Sequence, residues 1–278
     1  MTSDNLLALK GITKEYKEFR LGPLDLSVPR GYVMGLVGAN GAGKTTAIKI
    51  ALGAVLPGNG SAHLIDKTRV GVVLDQPCWQ ATWRVRDLSR LLGPFYPGWD
   101  QRVFDELCEW AGVSQRLKVR EFSRGMGMKV QVAVALAHRA ELLVLDEPTS
   151  GLDPLARGEL LDKLSEFMTD ERHSVLFSTH ITTDLDRIAD LVTILDAGRV
   201  IASGARDDLL EAWAMVRGGA ADLTGELRAR IRGLRQHSAG WEGLIAAADL
   251  GLCGTGVVAD TPSVEDLLVH LTKERKDA

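Results

Sequence analysis

An α/β fold built on a largely parallel sheet is predicted by three features of this 278-residue sequence. Short apolar runs recur along the chain, stretches of helical periodicity separate them, and the first run passes through a glycine-rich turn straight into a helix. Continuous apolar runs read as strands buried on both faces, which is how a parallel sheet covered by helices is written.

In chain order, the run Tyr32 to Val37, between Gly31 and Gly38, is the first buried strand, and Lys44 to Leu52 is the helix after it. Val70 to Leu74, Leu142 to Leu145, Ser174 to Phe177 and Leu191 to Leu195 read as further strands. From about Pro77 to Ala140 the alternation gives way to helical sequence, notably Gln101 to Trp110 and Arg124 to Ala140, so this segment is expected to be a helical insert. Beyond about Gly204 strand signals thin out, and Gly218-Gly219-Ala220-Ala221 is the expected joint before a basic stretch, Arg228 to Arg235. Near the end, Pro262-Ser263-Val264-Glu265-Asp266 reads as a capped helix start. Val264, Leu267, Leu268 and Leu271 then form one apolar stripe that packs against the main domain. The expected division is 1–217 for the main domain, with its insert at about 77–140, and 218–278 for a small C-terminal extension.

Composition narrows the function. The chain is 45% apolar and 25% charged, with 33 basic against 37 acidic residues and a net charge of −4, which argues against a nucleic-acid partner. Cys78, Cys108 and Cys253 are odd in number, far apart and in no metal-ligand spacing, so they read as free thiols in a reducing cytoplasm. No apolar run is long enough to span a bilayer, so a membrane role would come through a partner.

The chemistry starts at Gly38-Ala39-Asn40-Gly41-Ala42-Gly43-Lys44-Thr45-Thr46, which fills the whole P-loop pattern between strand and helix. Gly38, Asn40, Gly41, Ala42, Gly43 and Thr46 would cradle phosphates with backbone N–H groups. Lys44 would reach the β- and γ-phosphates, and the Thr45 hydroxyl would ligate Mg²⁺. A glycine-rich turn that merely starts a helix needs none of the other filled positions. Leu142-Leu143-Val144-Leu145-Asp146-Glu147 reads as a buried strand delivering two acids beside the nucleotide, as in a Walker B strand. Asp146 would hold Mg²⁺ through water, and Glu147 would polarise the attacking water. Alone, two acids after a strand are equally a solvated turn.

Phe122-Ser123-Arg124-Gly125-Met126, shortly before that strand, resembles the signature of ATP-binding cassette (ABC) ATPases, usually Leu-Ser-Gly-Gly-Gln. Arg124 and Met126 depart from the commonest form, and the variant is similar to that of ATPases paired with ABC-2-type exporters. Ser150-Gly151-Leu152-Asp153 resembles the family's D-loop, and His180, closing Leu176-Phe177-Ser178-Thr179-His180, its switch histidine. By resemblance Ser123 and Gly125 would contact the γ-phosphate bound by an opposing subunit, and Ser123 is also an ordinary helix N-cap. Tyr16 has two readings, an adenine-stacking ring or a strand-packing side chain. At the Q-loop, Asp75 directly follows a strand and Gln76 comes one position later; either would supply an oxygen near Mg²⁺. Five aromatic rings, Trp79, Trp83, Phe95, Tyr96 and Trp99, crowd the insert, with Trp79 and Trp83 the expected contacts for a permease.

The resemblance covers about Leu7 to Gly204 and implies a P-loop NTPase (RecA-like) core with a mostly parallel sheet, an antiparallel β part, a helical signature subdomain and a small C-terminal extension. It implies ATP and Mg²⁺ as cofactors, with Lys44, Glu147 and His180 catalytic. It implies a second ATPase subunit, identical or not, an ABC-2-type membrane permease, and a place on the cytoplasmic face of the membrane. A cytosolic ABC ATPase acting on a soluble assembly and a P-loop small-molecule kinase are the competing readings; the kinase has no use for the signature.

Overall fold

The structure, a computed structural model, describes residues 4–277. The chain begins β1 (Asn5–Glu15), β2 (Arg20–Pro29), β3 (Val33–Val37), α1 (Lys44–Ala51), β4 (Asn59–Leu64) and β5 (Val70–Val73). The insert holds α2 (Val85–Leu92), α3 (Gln101–Trp110) and α4 (Arg124–Ala137). The core resumes with β6 (Leu142–Asp146), α5 (Pro154–Phe167), β7 (Ser174–Thr179), α6 (Thr182–Ile188), β8 (Leu191–Asp196) and β9 (Arg199–Ala205). Last come α7 (Arg206–Glu211), β10 (Trp213–Gly218), α8 (Gly225–Arg230), β11 (Arg232–His237), β12 (Gly240–Ala246), β13 (Val258–Asp260) and α9 (Val264–Asp277).

Among the described residues, the central sheet has the order β5-β6-β7-β3-β8-β9 and is parallel except for the edge strand β9. Every residue of β3, β6 and β7 is buried, as the unbroken apolar runs require. Alternate residues divide between two cores. Val33, Leu143, Leu145 and Phe177 face α4, α5 and α6, while Met34, Leu36, Val144 and Leu176 face α1 and the antiparallel sheet β2-β1-β4. Strands β3, β6 and β7 therefore deliver their C-terminal ends to one edge, where ligands of open α/β sheets bind.

Helix α4 serves two cores. Met128, Val132 and Ala135 enter the central one, and Val130, Ala133, Val134 and Ala137 join Val85, Leu88, Phe104 and Leu107 in the insert. It stops at Ala137, short of the expected Ala140, because Arg139 takes a left-handed φ of 59° and turns the chain toward β6. Cys108 is buried in the insert's core, and burial pushes its thiol up to about 12, so it acts as a small apolar side chain.

The C-terminal residues form a second antiparallel sheet, β11-β12-β10-β13, where the sequence showed few strand signals. β11 carries Arg232, Arg235 and His237, and β13 is exposed throughout, so no apolar run marks those two, whereas β10 and β12 are mainly apolar and buried. The expected joint at Gly218 falls at the end of β10, so the first strand of this sheet precedes it. Helix α9 opens on a capping box, Asp266 N donating to Ser263 Oγ at 3.1 Å and Ser263 N to Asp266 Oδ2 at 2.8 Å. Val264 and Leu267 are buried in the central core, so the expected stripe does pack against the main domain.

Candidate functional site

The turn after β3 demands glycine at two places. A Cβ on Gly38 would stand 2.3 Å from the carbonyl oxygen of Leu195, and Gly43, at φ 111°, would meet Phe19 and Leu21 at 2.9 Å. The turn thus lies tight on the sheet and presents its N–H groups and the start of α1 to one cavity. That cavity, ≈ 360 Å³, is lined by Phe19, Asn40, Gly41, Gly43, Lys44, Thr45, Thr46 and Glu147. Lys44 is buried and donates to Gly38 O at 2.6 Å and Ala39 O at 3.2 Å.

Glu147, just past β6, closes the other side of the cavity, while Asp146 and His180 stand outside its lining. Asp146 is buried at the end of β6, and its Oδ1 accepts from Ser178 Oγ at 2.7 Å. Glu147 takes a left-handed φ of 54°, held as its N–H donates to Ser178 O at 3.1 Å and Ser178 Oγ at 3.2 Å. For a non-glycine residue that conformation is strained, and here it turns the carboxylate toward Lys44. Oε1 stands 3.0 Å from Lys44 Nζ, within ion-pair distance yet accepting no hydrogen bond, while Oε2 lies 2.7 Å from His180 Nδ1. Lys44, Glu147 and His180, far apart in sequence, form one polar chain.

A buried network lies behind them. Asp184, fully buried on α6, accepts from Thr149 Oγ1 and from Arg157 Nε, each at 2.6 Å. It ties the segment after Glu147 and helix α5 to the helix after His180. Its carboxylate is compensated by two partners, as a buried charge must be.

The remaining motif residues lie elsewhere. Ser123 caps α4, its Oγ accepting from Met126 N at 3.2 Å, and Gly125 faces Leu152 and Ala156. Asp153 caps α5, accepting from Leu155 N and Ala156 N at 3.0 Å. None of Ser123, Gly125 and Asp153 lines the P-loop cavity. Nor do Asp75 and Gln76: both are exposed, and Asp75 pairs with Arg124 at 2.5 Å. Tyr16 is exposed, its ring 6.4 Å from that of Phe19. Phe19 is the ring that lines the cavity, which the sequence reading missed although it lies close to Tyr16 in the chain. Arg124 and Asp184 were missed as well, because their partners are distant in sequence.

The donor set suits a nucleotide carrying Mg²⁺. Among the described residues no three His, Cys, Asp or Glu side chains gather into a metal cage. Mg²⁺ is commonly held by one or two carboxylates together with substrate phosphates, and Thr45, lining the cavity, and Asp146, buried at the end of β6, are donors of the kind it takes. The buried Glu147 Oε1, accepting no hydrogen bond, is an acceptor suited to a water beside them.

Comparison with known proteins agrees with this geometry. A family model described as "ABC transporter" matches residues 21–150. The Nod factor export ATP-binding protein I of Cupriavidus pinatubonensis is 34% identical over 223 residues, 74% of this chain and 68% of the relative. The daunorubicin resistance ATP-binding protein DrrA3 of Streptomyces coeruleorubidus is 33% identical over 223 residues, 74% and 70% of the two chains. A solved structure described as the ATP binding subunit of an ABC transporter superposes with a TM-score of 0.65 at 29% identity, covering 73% of this chain and 91% of its own.

Proposed function

The chain belongs to the family of ABC transporter ATP-binding proteins, and from that premise we propose that it is the ATP-hydrolysing subunit of an exporter, working as a dimer on a separate ABC-2-type permease at the cytoplasmic face of the membrane. The observation that carries the reading is the half-built site: the P-loop cavity holds Lys44, Thr45 and Glu147, whereas Ser123 and the head of α4 lie outside it. A second subunit would supply its own Ser123 and helix N-terminus to the exposed side of the nucleotide. The relatives' names, Nod factor export and daunorubicin resistance, support outward transport.

Within the half-site, Lys44 and the P-loop N–H groups bind the phosphates, Thr45 and Asp146 hold Mg²⁺, Glu147 orients and deprotonates the attacking water, and His180 keeps Glu147 in place. When bound, Mg²⁺ neutralises charge on the β- and γ-phosphates. Gln76 remains a candidate to reach the metal from the Q-loop. The test is mass by light scattering on the Glu147→Gln protein. It is expected to be monomeric without nucleotide and dimeric with Mg-ATP, because ATP bound between two faces stabilises their association. An unchanged mass would count against a homodimer.

The permease would dock on the helical insert. Trp79 and Trp83, expected as contacts, are partly buried against the insert's core, so their truncation should also cost stability. Tyr96 stacks on His138 at 4.1 Å and Trp99 tilts onto Phe104 at 5.3 Å. Phe95 is 75% exposed and is the ring best placed for contact. Phe95→Ala is expected to weaken permease capture by about 2 kcal/mol, roughly 30-fold, without moving the melting temperature of the isolated subunit. Undiminished capture in a pull-down would move the docking surface elsewhere.

A further inference from the structure

We propose that Arg124 is a positioning residue that binds the Q-loop and the D-loop to the head of the signature helix, and that Asp75 is its counter-ion and not a magnesium ligand. This rests on the nucleotide-sandwich reading above. Arg124 Nη2 donates to Asp75 Oδ1 at 2.5 Å, and Nε donates to the carbonyl oxygen of Ser150. One planar guanidinium on α4 therefore reaches two segments that lie apart in sequence, each through a fixed direction of its fork, and so joins three.

Three features show that the place is built. Arg124 opens α4, where the positive end of the helix dipole disfavours a cation, and the Asp75 carboxylate beside it offsets that. Gly151, at φ +69°, leaves room for the guanidinium: a Cβ there would stand 2.9 Å from Arg124 Nε. The Q-loop is pinned to the same helix on both sides of Asp75. On one side the buried Gln131 amide exchanges hydrogen bonds with the Leu74 backbone at 3.0 and 2.9 Å. On the other, Pro77 lies against Gly127.

The Arg124 and Asp75 side chains are 39% and 48% exposed, so the pair contributes little to fold stability. What it controls is alignment. Ser123, one residue before Arg124, can meet the other subunit's nucleotide only if α4 keeps its angle to the D-loop. Losing the tie should therefore weaken ATP-driven closure of the dimer and leave nucleotide binding by the monomer unchanged.

The experiment places Arg124→Ala, Asp75→Asn, their combination, and the exchange of Asp75→Arg with Arg124→Asp into the Glu147→Gln background. Three quantities are measured: the ATP concentration for half-maximal dimerisation, the affinity of the monomer for ADP, and the Mg²⁺ requirement. Each single variant is expected to raise the ATP concentration roughly tenfold, and the combination no further, because the two act through one contact. ADP affinity and Mg²⁺ requirement should stay unchanged, and the exchange should recover much of the loss. Additive losses, or an Mg²⁺ requirement raised by Asp75→Asn and not by Arg124→Ala, would overturn the proposal. Failure of the Glu147→Gln parent to dimerise with Mg-ATP would overturn the homodimer underneath, and this proposal with it.

Discussion

Glu147→Gln is expected to lower steady-state ATP turnover by about 10²- to 10⁴-fold, the range that a positioned general base contributes. The side chain keeps its size, so an amide can still reach toward His180, but it carries no charge and cannot take a proton from water. Nucleotide affinity should hold or improve. Glu147 Oε1 stands 3.0 Å from Lys44 Nζ, and removing that negative charge releases the ammonium for a phosphate and lessens repulsion of it. Rapid-quench turnover beside equilibrium binding separates the two effects, and normal turnover by the variant would defeat the assignment. The left-handed φ of Glu147 strengthens the expectation, since a strained residue held by Ser178 does not swing away to be replaced by another acid.

What the sequence made legible was whatever is local. The P-loop, the acids ending β6 and the histidine ending β7 each follow a buried strand, and strands in parallel register bring their C-terminal ends to one edge, so their meeting followed from the pattern. Five strands, the helical insert and the capped α9 were likewise written in runs, periods and caps. What was not legible depends on contacts between distant residues. Asp75 reads as a metal ligand because a carboxylate directly follows a strand; its ion-pair partner, Arg124, comes beside it only when the insert folds back on the core, which no local pattern shows. Phe19 reaches the P-loop because β2 crosses behind Gly43. Strands β11 and β13 escaped notice because a short, charged or exposed antiparallel strand has no signal until it is paired; β10 and β12 are mainly apolar and buried, and their brief runs were passed over.

Asp184 illustrates why such distant contacts matter to the chemistry. Glu147 and His180 close the polar chain only if the ends of β6 and β7 keep their spacing, and the segments after each are joined through Thr149, Asp184 and Arg157. The acid is absent from the cavity's lining, yet it holds the segments after Glu147 and His180 in register.

Lys44→Ala is expected to reduce ATP affinity by about 10²-fold or more. A hydrogen bond to a charged group contributes about 1.5–3 kcal/mol, and Lys44 would serve two phosphates. The fold should survive, because the ammonium is satisfied here by the Gly38 and Ala39 carbonyls and not by packing, and α1 stays anchored through Ala47, Ile48, Ile50 and Ala51. Part of the loss comes from Glu147. Without Lys44 its carboxylate faces the cavity with no cation beside it and repels the incoming phosphates. Combining Lys44→Ala with Glu147→Gln should therefore restore part of the affinity while leaving turnover abolished. Calorimetry on the single and double variants measures the coupling, and a thermal melt checks the fold. A Lys44→Ala protein that binds ATP as tightly as the parent would remove the lysine from the phosphate site, and with it the reason for its burial against Glu147.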